Sequence, residues 1–147
     1  MAVAGPATLK RALIDALAAS GEFAAVQVAY SWPGRHAERE CIYAGPATFE
    51  QRYAAMTSQR KPRDRTVVVS LHVEVMAPGA TVEETDARVE ELGEAVDSIL
   101  AGNVTLSDTV PGLRYGGVVG CELDYAIDDD GAMSAAIYQI SFSARIF

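Results

Sequence analysis

The chain has 147 residues, half of them hydrophobic, and a formal net charge of −8. This length and hydrophobic content are typical of one globular domain with its own core, so we treat residues 1–147 as a single domain. The acidic balance argues against a protein that wraps nucleic acid, and no apolar run approaches the roughly 20 residues that a membrane-spanning helix needs.

Residues 8–20 predict the first helix, because apolar side chains recur there at helical spacing: Leu9, Leu13, Ala16 and Leu17. Thr8 is a suitable N-cap, and Gly21 suits the position after the helix. The charged residues lie inside the amphipathic pattern, unlike the charged start and apolar run of a signal peptide. We therefore expect a protein that is made and kept in a cytoplasm.

Two strands are predicted next. Residues 25–32 form the first, which ends at a Pro-Gly turn and has four large side chains on one face: Val26, Val28, Tyr30 and Trp32. A polar connection leads to a short second strand at residues 40–44. We expect Gly45 and Pro46 to stop this strand.

Residues 47–65 are compatible with two structures. Most of their side chains are tolerable in a helix, yet Phe49, Gln51, Tyr53 and Ala55 also alternate as in a strand. We favour an extended strand that leads into a loop, where Pro62 opposes a helix. That loop concentrates cations against a single acid, Asp64, with Arg52 nearby; its cations are Arg60, Lys61, Arg63 and Arg65.

The centre of the chain carries the clearest pattern. Residues 65–76, RTVVVSLHVEVM, alternate strictly and predict a strand with one apolar face: Val67, Val69, Leu71, Val73 and Val75. An apolar face needs a cover, and the helix predicted at residues 81–100 can supply it. Thr81 and Glu84 form a T-x-x-E capping box at the start of that helix.

The last third of the chain predicts a hairpin. Residues 117–127 alternate as a strand, with Val119, Cys121, Leu123, Tyr125 and Ile127 on one face. The sequence Asp-Asp-Asp-Gly at residues 128–131 is a strong turn signal. Residues 133–147 return as a strand whose apolar face holds Ala136, Tyr138, Ile140, Phe142, Ala144 and Ile146.

The predicted order is α-β-β-β-β-α-β-β. Hairpins and one crossing helix indicate an α+β fold, with a mostly antiparallel sheet of about five to six strands and two helices packed on one face. Cys41 and Cys121 fall on separate predicted strands without C-x-x-C spacing, and we expect both to be half-buried thiols.

Candidate chemistry is sparse. Asp124 and residues 128–130 are a run of possible oxygen ligands for a hard cation, but they lack the spacing of a calcium loop, and solvated turn residues are the simpler interpretation. His36 and His72 are far apart, and no nucleophile motif or phosphate-binding glycine pattern is present. We therefore predict no metal, no cofactor, no catalytic residues and no enzymatic activity.

The basic loop remains as the candidate functional site. A solvated loop is one interpretation of Arg60, Lys61, Arg63 and Arg65. The other is a docking element for an acidic protein surface or for passing DNA, since arginine is well suited to paired contacts with carboxylates.

Several stretches occur in an order that resembles a known family. They are the amphipathic opening helix through Leu17, the V-x-V-x-Y-x-W-P-G of residues 26–34, the E-x-I-x-x-G of residues 40–45, the basic turn before TVVVSLHVEVMAPG, the acidic helix ending in VDSILAGN, and the closing YQISFSARIF. Together they resemble the tail terminator, or tail completion, proteins of long-tailed bacteriophages, especially those infecting actinobacteria. The resemblance extends over nearly the whole chain.

The resemblance implies a structural role without an active site. It implies a small α+β subunit that forms a homohexameric ring at the head-proximal end of the tail tube, stops tube polymerisation and provides a docking face for the head. The partners implied are further copies of the chain, the tail tube protein and a head-tail connector or stopper protein, with DNA only passing through the lumen and no membrane. The protein is then a virion component that is assembled in the host cytoplasm.

General physical arguments are compatible with this role. Open strand edges can pair between subunits, and a closed ring needs two different contact surfaces on each subunit. An acidic lumen would repel passing DNA. Three other readings stay open: another head-tail connector or stopper protein, a small ligand-binding regulatory module, and a hydrolase that uses His72 or the carboxylates.

Overall fold

A computed structural model of the chain describes residues 3–53 and 61–147. Its helices are α1 (Pro6–Ala19) and α2 (Val82–Gly102), and its strands are β1 (Gln27–Ala29), β2 (Glu40–Tyr53), β3 (Arg63–Pro78), β4 (Leu113–Asp128) and β5 (Gly131–Ile146). The strands form one sheet in the order β1-β2-β3-β5-β4, in which β1 is parallel to β2 and the other pairs are antiparallel. The predicted α+β class, with a mostly antiparallel sheet, is confirmed.

The core lies between the sheet and the two helices. β3 is the central strand, and its odd-numbered residues from Val67 to Val75 are buried as the alternation predicts. On β5 the even-numbered residues are buried along the whole strand. These two rows join the buried stripes of α1 and α2 in a single cluster, so both helices cover the same face of the sheet. We call this face the helix side and the opposite face the open side.

Only α2 begins where the sequence indicates. Thr81 accepts a hydrogen bond from the Glu84 N–H at 3.2 Å and donates its hydroxyl to the Glu84 carboxylate at 3.3 Å, so Thr81 is the N-cap of α2 and Glu84 is its partner, as the T-x-x-E pattern predicts. α1 begins at Pro6 with Gly5 at the N-cap position, so the predicted N-cap at Thr8 is wrong, and Ile14 joins the buried residues of this helix. Neither helix is long and apolar enough to cross a membrane, among the residues that the structure describes.

The first strand is shorter than its alternation predicts. β1 contains only three residues, and Trp32 lies beyond it with 66% of its side chain exposed. The expected strand over residues 25–32, with Trp32 on its apolar face, is therefore wrong at its end. A short helical turn at Gly34–His36 follows directly, so the chain leaves the sheet before Trp32 can be covered.

The predicted stop after residue 44 is also wrong, because β2 continues as one strand through Gly45 and Pro46 to Tyr53. The register with β3 shifts by one residue between Ala44 and Ala47, which marks a bulge. Proline is tolerated at bulges, where a ladder hydrogen bond is already lost. Residues 47–53 adopt the extended alternative, and residues 54–60 lie outside the described part of the chain.

A second register shift lies in β4, between Val118 and Gly120. It removes Val119 from the alternation that the sequence predicts for this strand. Just before the shift, the backbone of Gly116 lies against the ring of Phe142, and a Cβ atom at residue 116 would clash with that ring. Glycines in this part of β4 therefore lie where the strand is irregular and where its backbone approaches an aromatic ring closely.

Candidate functional site: opposite charges at two edges of the sheet

The structure separates the predicted basic loop into parts. Arg63 and Arg65 are not loop residues, because they lie in the first three residues of β3 and pair with β2 and β5. Lys61 is exposed just before β3, and its ammonium lies 5.8 Å from the ring centre of Tyr53. Arg60 lies outside the described residues. The cations are thus held at one end of a sheet rather than on a free loop.

Arg65 mainly stabilises this end of the sheet through contacts within the chain. Its guanidinium donates to the side-chain oxygen of Gln51 at 2.8 and 3.2 Å and to the carbonyl of Ala4 at 3.2 Å. It also lies over the ring of Phe49, at 4.5 Å from the centroid. With these contacts already made, Arg65 is poorly placed to bind a partner carboxylate.

The open side adds arginines that the sequence did not single out. Arg145 donates to both carboxylate oxygens of Asp64, at 2.8 and 3.1 Å. This bond lowers the pKa of Asp64, and the positive charges of Arg114 and Arg52 lower it further. Only the register of four strands brings these three arginines together. We call the set Arg52, Lys61, Arg63, Arg65, Arg114 and Arg145 the basic end.

Residues 122–128, which we call the far half of β4, carry the opposite charge. Glu122 and Asp124 lie on the open side, and three aspartates follow in the turn to β5. Asp128 accepts the N–H groups of Asp130 and Gly131 at 2.9 and 3.2 Å, so its carboxylate shapes the hairpin turn. Among the described residues there is no group of three or more side chains placed to hold a metal ion.

The same half of β4 exposes apolar side chains. Leu123, Tyr125 and Ile127 are on the helix side but are 49%, 60% and 67% exposed. Their partners on β5 are small residues, Ala136, Ser134 and Ala132, which give little lateral cover. Cys121 begins this stripe and is exposed, so the expectation of a half-buried thiol is wrong for Cys121.

A polar cluster lies on the open side, at the centre of the sheet. The rings of Tyr43 and His72 stack with their centres 4.7 Å apart, and Tyr43 donates to Glu74 at 2.8 Å. Burial lowers the pKa of His72 and raises the pKa of Cys41 to about 11, with the charge of Glu74 adding to the shift at Cys41. The Cys41 thiol therefore stays protonated at neutral pH, which does not suit a nucleophile.

Comparison with known proteins identifies the fold. No protein-family model matches the sequence, and no curated protein matches it. Among solved structures, the chain is similar to a chain in the virion of a native gene transfer agent particle, with a TM-score of 0.68 and 17% sequence identity. The similarity covers 94% of this chain and 95% of that chain. The two chains therefore share one fold over nearly their whole lengths.

Proposed function

We propose that the chain is a virion structural protein that forms a ring at the head-proximal end of a phage tail tube. In this role it ends tube polymerisation and offers the docking face for the head. Two independent lines support the proposal: the order of sequence stretches that resembles tail terminator proteins, and the shared fold with a chain from a virion particle.

The observation that carries the proposal is the pair of uncovered strand edges, residues 122–128 of β4 and residues 47–53 of β2, which differ in charge. A ring of identical subunits needs two different surfaces that bind each other. The far half of β4 is acidic and apolar, whereas the free part of β2 adjoins the basic end. A protein that acts alone would gain nothing from exposing Leu123, Tyr125 and Ile127 on an open strand edge, which favours aggregation.

The proposed partners follow from this position. Further copies of the chain close a homohexameric ring, the tail tube protein binds one face of the ring, and a head-tail connector or stopper protein binds the other. The net charge of −8 suits a lumen through which DNA passes without sticking. The protein is then a virion component that is assembled in the host cytoplasm.

Deletion of the gene in the phage that encodes it tests the role. A terminator is required to limit tube length, so we expect overlong tubes or tails that do not join heads. Tails of normal length that lack heads would indicate a connector or stopper protein instead. Normal, joined tails would contradict both roles. Native mass spectrometry of the purified protein, with and without tail tubes, then tests for a ring.

A further inference from the structure

Two backbone edges of the sheet are open in the described part of the chain. β4 lies at one end of the strand order and pairs only with β5. On the other side of the sheet, β1 covers only residues 41–43 of β2 and leaves residues 47–53 uncovered. An open edge of this kind can pair with a strand of another chain.

At both edges, the odd-numbered residues direct their backbone N–H and C=O groups away from the sheet. Tyr125 donates its N–H to the carboxylate of Asp124 at 2.8 Å, rather than to β5. Met76 donates its N–H to the carbonyl of Arg39 at 2.7 Å. Because backbone bonding groups alternate in direction along a strand, the even-numbered residues of β3 direct theirs toward β2. In an antiparallel pair, two directly opposed residues either bond to each other or both point away from each other. Residues 49, 51 and 53 oppose odd-numbered residues of β3, which do not bond to β2, so their own backbone N–H and C=O groups point outward.

The side chains of the two edges also match, face by face. On the helix side both edges expose large apolar groups: Leu123, Tyr125 and Ile127 on β4, and Phe49 and Tyr53 on β2. On the open side β4 carries carboxylates, and β2 carries Arg52. Pairing the two edges with their helix sides aligned would therefore bury apolar groups together and bring opposite charges together.

Charge favours one register over its two nearest neighbours that keep the faces aligned. If Asp124 lies opposite Arg52 in an antiparallel pair, Glu50 lies opposite Ala126. A shift of two residues in either direction places Asp124 or Asp128 opposite Glu50, and the first of these shifts keeps one attraction by placing Glu122 opposite Arg52. Like charges at directly opposed positions destabilise a sheet, so both shifted registers are disfavoured.

The same register satisfies the apolar face. It makes three pairs on the helix side: Leu123 with Tyr53, Tyr125 with Gln51, and Ile127 with Phe49. We propose that copies of this chain join by antiparallel pairing of residues 123–128 of β4 with residues 48–53 of β2 in the next copy. Because each copy uses a different edge for each neighbour, the contact is heterologous and can be repeated around a ring. The pairing specifies how the proposed ring is held together, and its closure into a ring rests on the proposed function.

Disulfide trapping tests the register directly. Opposed residues in a sheet have Cβ atoms about 4.5–5.5 Å apart, close to the separation that a disulfide requires. In a Cys121→Ser background, we would combine Ala126→Cys with Glu50→Cys, both at exposed positions. We expect mild oxidation to give a ladder of covalent oligomers. The control pair, Ala126→Cys with Thr48→Cys, represents the register that puts Asp124 opposite Glu50, keeps both of those charges, and should give far less product.

The outcomes separate the interface from the function. No oligomers from the matched pair at high protein concentration, or equal yield from the control pair, would overturn the proposed pairing. A ring seen by native mass spectrometry without this cross-link would overturn the pairing and leave the proposed function in place. A cross-linked oligomer, together with normal tails in the deletion strain, would retain the pairing and remove the tail role.

Charge exchange gives a second test that does not depend on thiols. Arg52→Asp and Asp124→Arg should each weaken association about tenfold, because each replaces an attraction with a repulsion. The double variant should recover most of the lost affinity. Circular dichroism checks that each variant is folded. Folded single variants that associate like the parent protein, or a double variant that is no better than either one, would contradict the register.

Discussion

Asp64 and Arg145 lie directly opposite each other on β3 and β5, and the arginine donates to both carboxylate oxygens, at 2.8 and 3.1 Å. Two parallel bonds hold both side chains in a fixed orientation. The pair joins the start of β3 to the end of β5. It also leaves Arg52 and Arg114 next to a carboxylate that is already paired, and this keeps the region basic overall.

The Asp64–Arg145 pair should make stability depend on acid pH. The pKa of Asp64 is lower in the folded protein than the value of about 4 in an unfolded chain, so its stabilising effect is complete above about pH 4. The effect is lost as pH falls through the folded-state pKa. We expect Asp64→Asn to be less stable than the parent protein at neutral pH, and the difference to shrink below pH 4. Urea unfolding at several pH values measures it, and a gap that does not vary with pH would contradict the assignment.

His72 should affect the stability of the fold in a different pH range. Burial lowers its pKa, so the unfolded chain binds a proton more readily, and stability falls as pH drops from about 6.5 through the folded-state pKa. The neighbouring charge of Glu74 opposes this shift without reversing it. His72→Gln should therefore lose less stability than the parent protein between neutral pH and pH 5. His36→Gln, at an exposed position, is the matched control and should behave like the parent.

Gly93 is required where α2 crosses the sheet. A Cβ atom at residue 93 would overlap the hydroxyl and ring of Tyr138, so Gly93→Ala should overpack the core and cost about 1–3 kcal/mol. Thermal unfolding should show a melting temperature roughly 2–10 °C lower. Gly102→Ala has open space around the new methyl group and should be neutral or slightly stabilising. Similar losses in the two variants would contradict a specific clash between residue 93 and Tyr138.

Arg63 is the best position at which to test docking by the basic end. Arg63 is half-buried at the start of β3, whereas Arg65 has structural contacts that a substitution would remove. We expect Arg63→Glu to fold normally and to complete fewer tails in a complementation assay. Arg63→Lys keeps the charge and serves as the control. A folded Arg63→Glu protein that completes tails as well as the parent would remove this residue from the docking surface.

Elements with their own local signals could be predicted from the sequence. The alternation around Val69 and the capping box at Thr81 each specify a structure without reference to a distant partner. The continuation of β2 through Pro46 could not be predicted in this way, because a bulge depends on the strand alongside. For the same reason, the arginine cluster around Asp64 was missed: residues 52, 64, 114 and 145 meet only through the register of four strands.

The bulges in β2 and β4 affect how this sheet tolerates the loss of a residue. Each inserts one residue, so the side chains beyond it resume their alternation with opposite parity. Deleting Pro46 would remove the extra residue and restore regular alternation between Ala44 and Ala47, so Phe49 and Tyr53 would stay on the helix side. The rest of the core would keep its phase. One codon can thus be lost at this bulge without inverting the chemistry of the edge beyond it.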